Sequence, residues 1–114
     1  MRVVALVEDL MFASRIREAA RASQAAVETV RTAPALLEAC ARETPGLVLL
    51  DLDAARLRPL DAARELRAAA AALPVIGFVS HVDGELARAG LEAGCTRVLA
   101  RGAFVQELPA LLAG

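Results

Sequence analysis

Short runs of apolar residues constrain the fold of this chain more than any other feature of its sequence. Four such runs, nearly free of polar residues, cover residues 3–7, 47–52, 75–79 and 98–100. Strands of a parallel sheet have this composition because helices cover both faces of the sheet. A fifth segment, residues 26–30, alternates apolar and polar residues, which is typical of a strand at the edge of a sheet.

Segments with helical spacing of apolar residues separate these strands. The predicted helices cover residues 11–22, 34–42, 60–72, 85–93 and 104–112. Strict alternation of five strands with five helices implies right-handed βαβ units and a doubly wound parallel sheet. The sequence therefore predicts an α/β fold, with residues 1–114 forming one domain.

Composition and charge argue against several classes of protein. The 13 basic and 14 acidic residues are mixed along the chain, so no clustered basic surface for nucleic acid is predicted. The longest uncharged run, residues 68–80, contains Pro74 and Gly77 and is too short to span a bilayer. A strand-like run begins at Arg2, which leaves no room for a signal peptide, and Cys40 and Cys95 fit no metal-ligand spacing. We therefore expect a soluble, cytoplasmic domain with free thiols and no membrane partner.

Charged and hydroxyl side chains stand at the carboxyl ends of the predicted strands. Glu8 and Asp9 follow the first strand, and Asp51 and Asp53 end the third. Ser80 ends the fourth strand and Arg101 ends the fifth. Because ligands of open α/β sheets bind at this edge, we expect these side chains to form one site.

Clustered carboxylates of this kind suit a hard divalent cation such as Mg²⁺, which prefers oxygen ligands. Beside a metal, a carboxylate can attack a phosphoryl group and form an aspartyl phosphate. The metal and a cationic side chain then neutralise charge on the transferred group. Asp51, Ser80 and Arg101 are the residue types that this reaction needs.

On these residues the sequence resembles the receiver domain of two-component response regulators, the CheY-like family. VVALVED is similar to the first strand and acidic pair of that family, and TPGLVLLDLD to its third strand with the phosphoacceptor. PVIGFVS is similar to its fourth strand, and LEAGCTRVLAR to the stretch that leads to its lysine. The resemblance covers nearly the whole chain and implies a flavodoxin-like sheet with the strand order 2-1-3-4-5.

The resemblance also implies a role for each site residue. Asp51 would be the phosphoacceptor and, with Asp9, a direct ligand of Mg²⁺. Glu8 would act through a water, and Asp53 would contribute its backbone carbonyl. The Ser80 hydroxyl would shift toward the phosphoryl group.

The partners implied by the resemblance are a sensor histidine kinase or phosphotransfer protein and a downstream protein. The downstream protein would bind a face built from the fourth helix, fifth strand and fifth helix, where Leu86, Leu91 and Leu108 are candidate contacts. Such a domain is not an enzyme beyond its own phosphorylation and dephosphorylation.

The chain departs from the family pattern around the phosphorylation site. Arg101 stands where the family has lysine, in a chain whose 13 basic residues are all arginine. Gly102 replaces a proline, Val98 replaces the switch aromatic, and His81 follows Ser80 where the family has a small residue. Two hypotheses therefore stay open: a phospho-accepting receiver, and a pseudo-receiver that binds partners without phosphorylation.

Two other functions have weaker support in the sequence. A haloacid-dehalogenase-like phosphatase would use the DxD of LVLLDLD, but it needs a lysine and a later acidic pair that this chain lacks. A flavodoxin-like cofactor binder would need a phosphate-binding loop after the first strand, where the chain has none.

Overall fold

Five parallel strands form the sheet at the centre of the fold. A computed structural model describes residues 1–114. The strands are β1 (Arg2–Leu6), β2 (Ala26–Val30), β3 (Leu47–Asp51), β4 (Val75–Val79) and β5 (Arg97–Ala100). They lie in the order β2-β1-β3-β4-β5, and every neighbouring pair is parallel. The predicted fold and strand order are confirmed.

Four helices connect the strands and a fifth follows β5, as predicted. They are α1 (Leu10–Ala22), α2 (Ala33–Arg42), α3 (Pro59–Ala69), α4 (Glu85–Ala93) and α5 (Arg101–Leu112), and a short 3₁₀ turn, Ala55–Leu57, precedes α3.

Two helix boundaries differ from the prediction by three residues. Helix α3 ends at Ala69 rather than at residue 72, because the Arg67 guanidinium donates hydrogen bonds to the carbonyls of Ala70 and Ala71 and stabilises a non-helical turn. Helix α5 begins at Arg101 rather than at residue 104. Its first turn carries little apolar surface, so the apolar pattern does not reveal it.

The core is divided by the sheet into two clusters of different composition. One cluster lies against α1 and α5 and contains all three phenylalanines of the chain. The other lies against α2, α3 and α4 and contains only aliphatic side chains and Cys95. We call these the aromatic side and the aliphatic side of the sheet.

On the aliphatic side, α4 lies close to the sheet because two glycines make room for Leu52. A Cβ atom added at Gly77 or at Gly90 would lie 2.7 Å from the Leu52 Cδ1 atom. Real Cβ atoms essentially never make so short a contact. The two glycines are therefore needed for this packing.

Both cysteines are free, as predicted. Burial raises the pKa of the Cys95 thiol to about 11, although the nearby Arg67 guanidinium lowers it. Burial also raises the pKa of Cys40, against the opposing effect of Arg2. No helix has both the length and the apolar character needed to cross a membrane.

The proposed docking face needs one correction. Leu108 is only 2% exposed and belongs to the aromatic-side core, so it cannot contact a partner on the surface. Leu91 of α4 is 50% exposed, as a docking residue must be.

Candidate functional site

The acidic residues predicted from the sequence line one small cavity at the carboxyl edge of the sheet. The cavity has a volume of about 150 Å³ and is lined by Glu8, Asp9, Asp51, Asp53, Ala54 and Arg101. Ser80 adjoins it through a hydrogen bond to Asp53. The structure therefore brings together all six residues that the sequence analysis singled out.

Asp51, the last residue of β3, is the most deeply buried member of this group. It is 2% exposed and is the only buried charged residue of the chain. Burial raises the pKa of its carboxyl group, as does the neighbouring Asp53 carboxylate. The Arg101 guanidinium and a hydrogen bond from the Glu8 backbone lower this pKa, but burial is the largest influence.

Arg101 supplies the positive charge closest to Asp51. Its Nη2 atom lies 3.4 Å from Oδ2 of Asp51, and its Nε atom lies 3.7 Å from Oδ2 of Asp53. The guanidinium also stacks on aromatic rings, with its Cζ atom 4.7 Å from the ring centre of Phe12 and 5.7 Å from that of Phe78. The Nε–H group is buried and has no hydrogen-bond acceptor.

The Asp53 side chain belongs to the site and contacts both Ser80 and Arg101. The Ser80 hydroxyl donates a 2.8 Å hydrogen bond to Oδ2 of Asp53, the same oxygen that faces Arg101. From the sequence only the backbone carbonyl of Asp53 was assigned to the site, and this side-chain network was not predicted. Its spacing of two residues from Asp51 is the available signal, since alternate residues of an extended segment point the same way.

Glu8 and Asp9 line the cavity while each also contacts groups outside it. Asp9 is the N-cap of α1, and its Oδ1 atom accepts hydrogen bonds from the backbone N–H groups of Met11 and Phe12, at 2.8 and 3.3 Å. Such a cap stabilises a helix on its own. Glu8 forms an ion pair with Arg56 of the 3₁₀ turn. The contact with Arg56 could not be predicted from sequence spacing, because 48 residues separate the two.

The donor chemistry of the cavity fits Mg²⁺, because four carboxylates of its lining offer the oxygen ligands that this ion prefers. No three of the acidic side chains converge on one point, however. Glu8 faces Arg56, Asp9 caps α1, and Arg101 lies beside both Asp51 and Asp53. In this arrangement the two arginines offset part of the charge of the four carboxylates.

The other departures from the family pattern lie outside this network. The His81 side chain is exposed and makes no hydrogen bond or ion pair. Val98 of β5 is half-buried and packs against the aliphatic side. The aromatic residues nearest the site are Phe12 and Phe78, which the sequence analysis did not connect with Arg101.

Solved structures with the same fold include receiver domains from several bacteria. The receiver domain of the sensor histidine kinase PA1611 from Pseudomonas aeruginosa, solved with a magnesium ion in its active-site cleft, has a TM-score of 0.83 and 21% identity, over 97% of this chain and 93% of that chain. The receiver domain of the Francisella response regulator 1452 has a TM-score of 0.83 and 17% identity, over 97% and 92%. At these identities the likeness shows the fold.

A longer protein, NtrX from Brucella abortus in complex with ADP, matches 96% of this chain with a TM-score of 0.83 and 19% identity. The chain spans only 25% of the length of that protein. The similarity is therefore to one part of NtrX.

No match was found among curated protein sequences. The sequence does match the family model of the response regulator receiver domain, over residues 4–113. This match covers β2 to β5, most of β1 and the residues of the acidic cavity, and it argues against the phosphatase and flavin-binding alternatives. The chain belongs to the response regulator receiver domain family.

Proposed function

We propose that this chain is a signalling receiver that accepts a phosphoryl group on Asp51 in the presence of Mg²⁺ and then changes its binding to a partner. The observation that carries this proposal is the position of Asp51, which ends β3 and shares a cavity with Glu8, Asp9 and Arg101. Membership of the receiver family and the magnesium ion in the PA1611 domain support it.

In the proposed reaction an Asp51 carboxylate oxygen bonds to the phosphorus of a phosphodonor. The bond from phosphorus to the donor breaks, and the leaving group keeps its electron pair. The Arg101 guanidinium, already beside Asp51, would pair with the phosphoryl oxygens. The Ser80 hydroxyl would leave Asp53 and donate to a phosphoryl oxygen.

Mg²⁺ would be held by Asp9, Asp51 and the backbone carbonyl of Asp53, with Glu8 acting through a water. The ion would supply positive charge that offsets the developing charge on the phosphoryl oxygens. Glu8 is also paired with Arg56, and Asp9 also caps α1. These two acids would therefore both bind the ion and stabilise the fold.

The partners in this proposal are those of a two-component pathway in the cytoplasm. A sensor histidine kinase or phosphotransfer protein would donate the phosphoryl group, and a downstream protein would bind the face formed by α4, β5 and α5. Residues 1–114 would act as one receiver domain, with Leu91 among the docking contacts because it is exposed.

A pseudo-receiver is the second candidate, and one observation favours it. Asp51 is 2% exposed, and Arg101 already lies against Asp51 and Asp53 as an internal countercharge. A domain of this kind would bind its partner in the arrangement seen here, without phosphoryl transfer.

The test is intact-protein mass spectrometry after incubation with Mg²⁺ and acetyl phosphate, with Asp51→Asn as the control. A phosphoryl adduct that requires Asp51 is the expected result. If the parent chain gives no adduct, the double variant Arg101→Lys, His81→Ala is treated in the same way. An adduct only in the double variant would place the block at those two residues. No adduct in either chain would overturn the proposal in favour of the pseudo-receiver.

A further inference from the structure

We propose that Phe12 is a positioning residue for Arg101. The rings of Phe12 and Phe78, which we call the aromatic seat, hold the guanidinium so that it faces Asp51 and Asp53 together. Where this inference concerns phosphorylation it rests on the proposed function, but the position of Arg101 can be tested without it.

The aromatic seat is part of a compact group that contains every aromatic residue of the chain. The ring centres of Phe12 and Phe78 are 4.9 Å apart, and those of Phe78 and Phe104 are 4.5 Å apart. Arg101 lies over Phe12 and Phe78 but not over Phe104, although Phe104 belongs to the same stack. Two of the three phenylalanine rings of the chain therefore lie against one cation.

The carboxylates alone do not account for the position of Arg101. Its shortest distances to them are 3.4 Å and 3.7 Å, whereas charge-assisted hydrogen bonds from a guanidinium are about 2.7–2.9 Å long. Its Nε–H group is buried without an acceptor. Ring faces attract a cation within about 6 Å of their centres, and both rings of the aromatic seat lie within that distance.

The aromatic seat also gives a physical reason for arginine at this position. A planar guanidinium can stack on a ring face and direct its N–H groups sideways to two carboxylates, whereas an ammonium is a compact, strongly hydrated point charge. Arg101 and Phe12 are therefore best understood as a matched pair. On this view the arginine is a functional feature rather than a consequence of the lysine-free composition.

The start of α1 connects the aromatic seat to the acidic cavity. Asp9 lines the cavity, and its carboxylate accepts a hydrogen bond from the backbone N–H of Phe12. The same turn of helix thus supplies both an acid of the site and the ring beneath Arg101. A change in the charge of the cavity that moves Arg101 must also change its contact with α1.

The experiment compares Phe12→Leu and Phe12→Met with Phe104→Leu, in the full chain. All three variants remove one ring of the same stack, but only the first two remove a ring that contacts Arg101. Methionine keeps most of the side-chain volume at residue 12, which guards against a variant that fails to fold. Phe12→Tyr, which keeps the ring, serves as the rescue.

The first measurement is the Arg101 Nε–H signal in ¹⁵N NMR. In the parent chain, in Phe104→Leu and in Phe12→Tyr, we expect an upfield ring-current shift and slow hydrogen exchange. In Phe12→Leu and Phe12→Met we expect the upfield shift to be reduced, since the Phe78 ring remains, and the hydrogen exchange to become fast. The inference is overturned if the signal is unchanged in those two variants, or if Phe104→Leu changes it as much.

The second measurement is the rate of Asp51 labelling by acetyl phosphate. We expect the Phe12→Leu and Phe12→Met rates to fall about tenfold, within the range for loss of a cation–π contact, and the Phe104→Leu rate to stay within about twofold of the parent. Equal losses in the Phe12 and Phe104 variants would overturn the positioning role. If even the parent chain is not labelled, the proposed function fails, and the NMR measurement alone decides the position of Arg101.

Discussion

The two sides of the sheet hold the same site by different physical means. On the aromatic side, Phe12, Phe78 and Phe104 stack together and Arg101 lies over two of them. On the aliphatic side there is no aromatic ring, and helix α4 lies close to the sheet over Gly77. The first arrangement depends on stacking and charge, and the second on close contact between small residues.

Asp51 lies where these two arrangements meet. Its carboxylate faces Arg101, which is held on the aromatic side, and the next residue, Leu52, packs between the glycines of the aliphatic side. Neighbouring residues of an extended chain point to opposite faces, so this division follows from the strand itself. A change at Asp51 is therefore expected to affect the packing on both sides of the sheet, through different contacts.

The largest expected effect comes from removing the central ring of the aromatic side. Phe78 is fully buried and contacts both other phenylalanines, so Phe78→Ala should lower the free energy of unfolding by about 3–5 kcal/mol. Urea denaturation measures this, with Leu36→Ala on the aliphatic side as the matched control. A smaller loss for Phe78→Ala than for Leu36→Ala would contradict the view that the rings are the main support of the aromatic side.

A smaller effect is expected from overfilling the aliphatic side. Gly77→Ala brings a methyl group against Leu52 and should cost about 1–3 kcal/mol of unfolding free energy. The double variant Gly77→Ala, Leu52→Val should cost less than the sum of the two single changes, because valine withdraws the clashing atoms. Simple additivity in a double-mutant cycle would show that Leu52 is not the residue that requires this glycine.

Arg67 stabilises the packing of α3 against the end of α4 on the aliphatic side, from outside the core. Its guanidinium donates to the Gly94 carbonyl at 2.6 and 3.1 Å and so ties α3 to the end of α4. Arg67→Ala should cost about 1–2 kcal/mol in thermal or urea unfolding, because these bonds come from a charged donor. Arg64→Ala, which removes an exposed pair with Asp61, should leave the stability almost unchanged. Equal losses would mean that the carbonyl contacts of Arg67 contribute little.

The last prediction changes the pH dependence of stability rather than the packing. Burial raises the pKa of Asp51 in the folded state above its ordinary value of 3.8. Between the pKa of the unfolded state and that of the folded state, the folded state therefore binds more protons than the unfolded state. The free energy of unfolding therefore falls as the pH rises through that interval, and it stays lower above it.

Asp51→Asn removes this titration. The variant should be more stable than the parent at pH 7, and the difference should disappear as the pH falls below about 3.8. Urea denaturation across this range measures it. A variant that is less stable at pH 7 would show that the charge pair with Arg101 outweighs the cost of burying Asp51.

The sequence predicts the sheet well because its signal is local. Residues 47–50 are apolar on both faces, which predicts a central strand, and Asp51 and Asp53, which follow them, are then expected at the carboxyl edge. The aromatic seat could not be predicted in this way, because Phe12, Phe78 and Arg101 come from three separate elements. Leu108 was misjudged because α5 is apolar on more than one face, so its pattern does not show which face is buried.

The packing of Leu52 between two glycines limits how this sequence can change over generations. A larger residue at Gly77 or Gly90 is less costly once residue 52 has become smaller, so one order of substitutions is favoured over the other. Because residue 52 directly follows Asp51, a substitution there would also change the residue next to the carboxylate of the site. Among relatives of this chain, we expect these three positions to vary together, with alanine or serine at residue 77 or 90 accompanied by a side chain shorter than leucine at residue 52.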